Sequence, residues 1–314
     1  MEIKTVSLIG LGAIGAYLAK GISTAIGNDS FQVIADGDRK RRIENEGVVI
    51  NGTPYSFNVV SPEEDVKPSD LVVVITKFNQ LRGAALQIRK FVGPDTIIMA
   101  PLNGIESEDI LAEYYPQEQI IYSLARVASL REGNKITYSE NLAYIEFGEK
   151  TNETISPRVQ AIADMFDKGG IGYKIQPDML KAIWTKFMCN CSENQSSAVL
   201  GIPFGAWHNN VHANYIREAI MKEVITIAQA KGIDLTLDAL PVQQQLLLNV
   251  SPTARTSTLQ DIENGRKTEV EMFSGAIMRL GKELDVPTPI NEIFYHAIKT
   301  LEDKNDGAFD FSPS

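Results

Sequence analysis

Histidine and cysteine are nearly absent from this chain, three and two among 314 residues. His208-x-x-x-His212 carries Asn209 where the zinc-protease pattern needs glutamate, and no third ligand lies nearby, so no metal is expected. Cys189 and Cys191, two apart in a helix-compatible stretch, point to different sides and cannot easily bridge. They read as small buried hydrophobes in a reducing compartment. Basic residues are outnumbered, 30 against 40 acidic, and the formal charge of −10 argues against a general nucleic-acid or anionic-membrane surface. A local basic pocket is still allowed. No apolar run approaches the roughly 18 to 20 residues of a membrane span. The first residues lack the charged region and cleavage site of a signal peptide. The expectation is a soluble cytoplasmic protein with no nucleic-acid and no membrane partner.

What the chain does have begins at once. Ile3 to Ile9 is a short apolar run leading into Gly10-Leu11-Gly12-Ala13-Ile14-Gly15, and Ala16 to Ile26 is helix-compatible. Strand, G-x-G-x-x-G turn and helix are the parts that hold a dinucleotide pyrophosphate. Gly10 permits the tight turn, Gly12 lets the backbone approach the phosphates, and Gly15 lets helix and strand pack closely. The helix start adds unpaired N–H groups and a partial positive charge.

At 314 residues, 44 % hydrophobic and 22 % charged, the chain has apolar material for two cores. Strand and helix patterns alternate up to about residue 176. Phe31 to Ala35 reads as strand two, ending at Asp36, and Arg39 to Glu46 as a short helix. Val48 to Ile50 and Tyr55 to Val60 flank the Asn51-Gly52 hairpin turn. Leu71 to Thr76 and Thr96 to Ala100 are buried parallel strands by pattern, with a helix over Phe78 to Phe91 between them. Ile120 to Ser129, Leu142 to Phe147 and Tyr173 to Ile175 are later strands, and Ser156 to Phe166 is helical. This describes an α/β, Rossmann-type doubly wound domain over residues 1–176.

From Pro177 strand signals vanish, and residues 177–314 read as an all-α substrate or dimerisation domain. Met179 to Val199, Ala213 to Lys231, Leu237 to Val250, Thr268 to Leu284 and Asn291 to Lys304 carry helical period. Asp178 suits a cap for the first and Gly232 a stop for the second. The tail 306–314 is expected to fray.

The first of these helices places Lys186, Asn190 and Asn194 at i, i+4 and i+8, along one face with about 40° of drift per step. Lysine and two amides in a row suit a polarised carbonyl and a carboxylate. The bland alternative is a solvated polar face. Ile183, Trp184, Phe187, Met188 and Cys191 flank the stripe on both sides, which an open face would not require. Glu269, near a helix start, either complements the dipole or serves a catalytic pocket.

Together these pieces resemble the ketopantoate reductase (2-dehydropantoate 2-reductase) family over nearly the whole chain. They are the glycine loop, Thr76-Lys77 with Gln80, Asn103-Gly104, Trp184-x-Lys186-x-x-x-Asn190-x-x-x-Asn194, Ser257 to Asp261, and Thr268-Glu269. The resemblance implies hydride transfer from nicotinamide C4 to C2 of a 2-keto acid, with Lys186 as general acid and Glu269 as its carboxylate partner in the pocket. It implies that Asn103, Asn190, Asn194 and Ser257 position substrate and nicotinamide, with Lys77 near the cofactor. A lactate-type His–Asp relay finds no convincing host among His208, His212 and His296. Leu102, Tyr122-Ser123-Leu124 and Gln195-Ser196-Ser197 depart from the family's usual residues, so a different branched 2-keto acid remains an alternative. So does a non-catalytic dinucleotide sensor on the same fold, although a sensor has no need of Lys186 with Glu269.

Members of this family often grip the adenosine 2′-phosphate of NADP with an arginine after strand two. Here Asp38 falls at that position, which favours NAD. The following Arg39-Lys40-Arg41-Arg42 suits a phosphate dianion. The expectation is NADP held with Arg39, with NAD possible, in a pantothenate-forming reductase that is a monomer or homodimer.

Overall fold

The computed structural model describes residues 1–310. They divide into two compact units, Met1–Leu180 and Lys181 onward. In chain order the first unit contains β1 (Val6–Ile9), α1 (Ala13–Ile26), β2 (Phe31–Ile34), α2 (Gly37–Glu46), β3 (Val48–Ile50), β4 (Thr53–Tyr55), β5 (Asn58–Val60) and β6 (Leu71–Val74). There follow α3 (Leu81–Gln87), β7 (Ile97–Met99), α4 (Ser107–Ala112), β8 (Ile120–Arg126), β9 (Ser129–Glu132), β10 (Lys135–Tyr138), β11 (Tyr144–Gly148), α5 (Pro157–Gly169) and β12 (Tyr173–Ile175).

The main sheet runs β12-β11-β8-β7-β6-β1-β2-β5. From β5 to β8 every pairing is parallel; β11 joins β8 antiparallel and β12 lies parallel to β11. Counted from β5, the first six strands have the 3-2-1-4-5-6 order of a dinucleotide-binding sheet, whose direction of winding reverses between β1 and β6. The strands are apolar on both faces because both are covered. Val6, Leu8, Val33 and Val73 pack with Tyr17, Leu18, Ile22 and Ile162 on one side. Ile9, Ile34, Val72, Val74 and Ile98 pack with Leu81, Ala85, Ile110 and Leu111 on the other. Ser7, fully buried, is satisfied by Ser69 Oγ at 2.7 Å and by Gln32 Nε2, which donates at 2.9 Å.

Three local expectations change. The Asn51-Gly52 turn forms, with φ of 46° and 83°, but its second strand is Thr53–Tyr55. Val59 and Val60 instead belong to β5, parallel to β2. The helix expected from Phe78 to Phe91 is shortened to α3, flanked by 3₁₀ turns at Phe78–Gln80 and Arg89–Phe91. Its apolar pattern came from one buried face, while the non-helical Ile88 (φ −85°, ψ 0°) breaks the run. The strand expected to end at Ser129 ends at Arg126, and β9 and β10 form a further hairpin. With β3 and β4 they make a second sheet, β4-β3-β10-β9.

The second unit is helical: α6 (Met179–Leu200, whose first residues lie in the first unit), α7 (Ala206–Asn209), α8 (Val211–Ala230), α9 (Ala239–Leu247), α10 (Ser257–Glu263), α11 (Ser274–Leu284) and α12 (Pro289–Asn305). Gly232, at φ 76°, follows the end of α8, as a helix stop should. The helix expected from Thr268 starts only at Ser274, because Phe273 has φ −92° and ψ −98° and interrupts it. Within the expected tail, residues 306–309 form a turn in which Lys267 Nζ meets Asp306 Oδ2 at 2.5 Å and Ala308 N donates to Asp303 O at 3.0 Å. The rest of that expected tail, 311–314, lies outside the described residues. Among the described residues, no helix is long and apolar enough to cross a membrane.

Candidate functional site

The three glycines of the loop have different surroundings. Gly10 sits at φ 102°, and a Cβ there would lie 2.0 Å from Ile75 O, at the switch between β1 and β6. A Cβ on Gly15 would lie 2.1 Å from Gly10 O. Gly12 is different: a Cβ there would meet nothing within 4 Å. Two glycines are thus demanded by the fold, and the third faces open space where a pyrophosphate can approach. Gly12 is also the N-cap of α1 and makes no side-chain cap bond, and the first turn holds no acidic residue. The helix start is therefore open to an anion. Leu11 turns its side chain into the core while Ala13 and Ile14 stay half-buried. Thr76 Oγ1, just beyond β6, is buried without a hydrogen-bond partner. These features fit a dinucleotide.

Lys77 is exposed at the start of the 3₁₀ turn after β6, and Asn103 is half-buried after β7, followed by Gly104 at φ 93°. The basic run on α2 separates into two kinds of residue. Arg41 pairs with Asp38, and Lys40 bonds Val59 O at 2.7 Å and Glu64 Oε1 at 2.9 Å. Arg39 and Arg42 have no carboxylate partner among the described residues. Asp38 is thereby turned to its own helix neighbour. Partial desolvation, then Arg131 and Arg42, hold the Arg39 guanidinium below its usual range.

Sequence reasoning missed Arg131 and Glu108. Arg131 stands on β9 and donates from Nη1 to Leu11 O at 3.0 Å, so the hairpin brings it to the glycine loop. Glu132-Gly133-Asn134-Lys135 carried a hairpin signal in Gly-Asn, but where the hairpin lands is a tertiary fact. Glu108, at the second residue of α4, is 5 % exposed and accepts from Ser123 N at 3.2 Å. Burial pushes its carboxyl up to about 7, against the lowering effect of backbone hydrogen bonds at Glu108 and Ser123, and Asp109 adds repulsion.

In the second unit the α6 stripe is not a solvated face. Lys186 and Asn190 are half-buried, and Asn194 is 8 % exposed. Neither asparagine side chain bonds to protein among the described residues, so two sheltered amides keep their donors for something else. The flanking Ile183, Trp184, Phe187, Met188 and Cys191 are buried, with Trp184 edge-on to Phe187 at 5.8 Å. Behind the stripe, Gln195 reaches Asn291 Oδ1 at 3.5 Å, and Asn291 is held by Glu223 Oε2 at 2.8 Å. Buried Arg217 clasps Glu193 of α6 through Nε at 3.0 Å and Nη2 at 2.8 Å.

Glu269 lies in a turn before α11 rather than in a first helical turn; its carbonyl accepts from Met272 N at 2.9 Å. The dipole role therefore falls away. Its side chain is half-buried and without an ion pair among the described residues. Ser257 is exposed at the first position of α10, where Thr256 Oγ1 caps Leu259 N at 3.3 Å. The described residues hold no cluster of three or more His, Cys, Asp or Glu able to bind a metal ion.

Comparison with known proteins covers most of the chain. The family model for ketopantoate reductase PanE/ApbA matches residues 6–152, and that for its C-terminal part matches residues 178–302. A 2-dehydropantoate 2-reductase of Nostoc sp. is 25 % identical over 314 residues, covering 97 % of each chain. One of Streptococcus pyogenes is 24 % identical over 295 residues, covering 90 % of this chain and 93 % of its own. Among solved structures, D-mandelate dehydrogenase with NADH and anilino(oxo)acetate superposes with a TM-score of 0.86 at 21 % identity, over 96 % of this chain and 99 % of that one. The fold, the open glycine loop and the two consecutive family matches agree: the chain belongs to the ketopantoate reductase family.

Proposed function

We propose that this protein reduces 2-dehydropantoate to pantoate with NADPH, in the cytoplasm, as a step of pantothenate formation. The observation that carries the reading is the sheltered stripe Lys186, Asn190 and Asn194, in a family member whose Gly12 leaves room for a dinucleotide. When bound, the dinucleotide supplies a hydride to C2 of the keto acid. Lys186 donates the proton that the ketone oxygen needs as it gains charge. Asn190 and Asn194 offer amide N–H groups to the substrate's carboxylate and carbonyl, and partial burial strengthens those bonds. Ser257 and Asn103 complete the positioning of substrate and nicotinamide, with Lys77 beside the cofactor. Glu269, half-buried and without an ion pair among the described residues, accepts from a substrate hydroxyl or orients the lysine.

Loss of reduced-nicotinamide absorbance with 2-dehydropantoate and a panel of branched 2-keto acids tests the reading. The expected result is highest kcat/KM for 2-dehydropantoate, and a loss of about 10²-fold or more in Lys186→Ala with cofactor affinity retained. Near-wild-type turnover in that variant would remove Lys186 from its role. Higher kcat/KM for another keto acid would replace the substrate.

A further inference from the structure

Arg217 stands where its helix should be apolar. The buried side of α8 runs Ala213, Arg217, Ile220, Met221, Val224 and Ala228, the spacing of one core-facing stripe. A guanidinium in that stripe loses its water, a cost that an apolar side chain of similar size would avoid. The charge is met by Glu193 of α6, through Nε at 3.0 Å and Nη2 at 2.8 Å, and the two side chains are only 1 % and 14 % exposed. Nη1 donates to Gln244 Oε1 of α9 at 2.9 Å, and Gln244 Nε2 donates in turn to Trp207 O of α7 at 3.0 Å. One side chain therefore ties together α8, α6 and α9, and Gln244 extends the tie to α7. Such a pair adds little net stability; what it can add is a single defined arrangement.

The helix that needs one is α6. From Cys191 to Ala198 every residue except Glu193 is buried, so this half of the helix is enclosed on all its faces. Apolar burial has no direction, and side chains as small as Ser192, Ser196 and Ala198 fit more than one rotation. Ser192 and Ser196 bond back to carbonyls of their own helix, as Gln195 Nε2 does to Cys191 O. Those bonds leave the rotation of α6 open, whereas the bond of Glu193 to another helix does not. Glu193 follows Lys186 by seven residues, so the two share a face within about 20° and lie roughly 10 Å apart along the axis. A turn of α6 that took Glu193 off Arg217 would carry Lys186, Asn190 and Asn194 with it.

We propose that Arg217 is a positioning residue for keto-acid reduction: by holding Glu193 and Gln244 it fixes the rotation of α6, and so the direction of Lys186, Asn190 and Asn194. This rests on the reading of that stripe as the face that meets the substrate. Acceptors on two different helices call for a forked, planar donor, which an ammonium group does not supply.

The test compares wild type, Arg217→Lys and the double variant Arg217→Met with Glu193→Met. Each full chain is studied by thermal melting, calorimetric titration with NADPH, and steady-state reduction of 2-dehydropantoate. Arg217→Met alone would leave Glu193 in the interior without its partner and destabilise the fold, so both charges are removed together. The double variant should melt within about 5 °C of wild type. NADPH affinity should not change, because the glycine loop belongs to the first unit. In both variants kcat should fall and KM rise, lowering kcat/KM by about tenfold or more, since a misplacement of about 1 Å can cost about 10²-fold. A purely structural pair would lower the folded fraction and leave KM, and the kcat of folded molecules, at their wild-type values. That result in the double variant, or in Arg217→Lys should the double variant not fold, would overturn the proposal. Failure of both variants to fold would make the pair a folding requirement and overturn it too. An active wild type with unaffected variants refutes this inference alone. A wild type that reduces no keto acid refutes the functional reading, and the inference falls with it.

Discussion

Replacing Glu108 with glutamine should stabilise the first unit at neutral and alkaline pH and do nothing in acid. Glu108 is 5 % exposed and has no cation beside it among the described residues, so burial lifts its carboxyl from 4.5 to about 7. Below about pH 4.5 folded and unfolded chains both hold the proton, and the native state suffers no penalty. Between 4.5 and 7 the unfolded chain releases a proton that the folded one retains, so stability falls as pH rises. Above 7 the folded carboxyl ionises too and the cost levels off. The gap of about 2.5 pH units (7 minus 4.5) at ~1.36 kcal/mol each is about 3 kcal/mol. Glutamine keeps an acceptor for Ser123 N and carries no charge. The assay is urea denaturation of wild type and Glu108→Gln at pH 5, 6, 7 and 8. The two should nearly coincide at the acid end and separate by about 3 kcal/mol at pH 8, or roughly 6–12 °C in Tm. A gap that does not grow with pH, or a variant less stable at pH 8, would refute the reasoning.

Gly12→Ala should fold normally, because its Cβ meets nothing within 4 Å, yet weaken both NADH and NADPH. Gly15→Ala places a Cβ 2.1 Å from Gly10 O, so it should lower the Tm itself. The reverse ranking, by melting and titration, would contradict the assigned roles. Glu269→Gln should keep its Tm within about 2 °C, since no ion pair among the described residues is lost. It should lower kcat/KM for the keto acid, and a collapse in thermal stability would make Glu269 a structural residue instead.

Much of the molecule was legible in the residues alone, and for local reasons. The spacing Gly10-x-Gly12-x-x-Gly15 between an apolar run and a helix is legible as a motif, although what demands Gly10 is the approach of Ile75 O and Gly12 is left open by the folded loop. The buried parallel strands announced themselves as continuous apolar runs, and the helical half by its period. The stripe Lys186-Asn190-Asn194 followed from 3.6 residues per turn, but its shelter did not: burial depends on what other helices cover. Helix ends were blurred for the same reason, since apolar period continues through Thr268 to Phe273 although the backbone at Phe273 is not helical.

Long-range pairing decided the rest. Sequence sets which segments form strands, but hydrogen-bonding partners across the chain settled that Asn58–Val60 lies beside β2 and that β9 joins the second sheet. That placement brings Arg131, almost ninety residues from Arg42, to Leu11 O. The sequence also contained both Asp38 and the basic run, with opposite implications for the cofactor. Only the folded helix shows Asp38 paired with Arg41 while Arg39 and Arg42 have no carboxylate partner among the described residues. Charge type is written in the chain, but which charges meet, and which are removed from water, is set by packing.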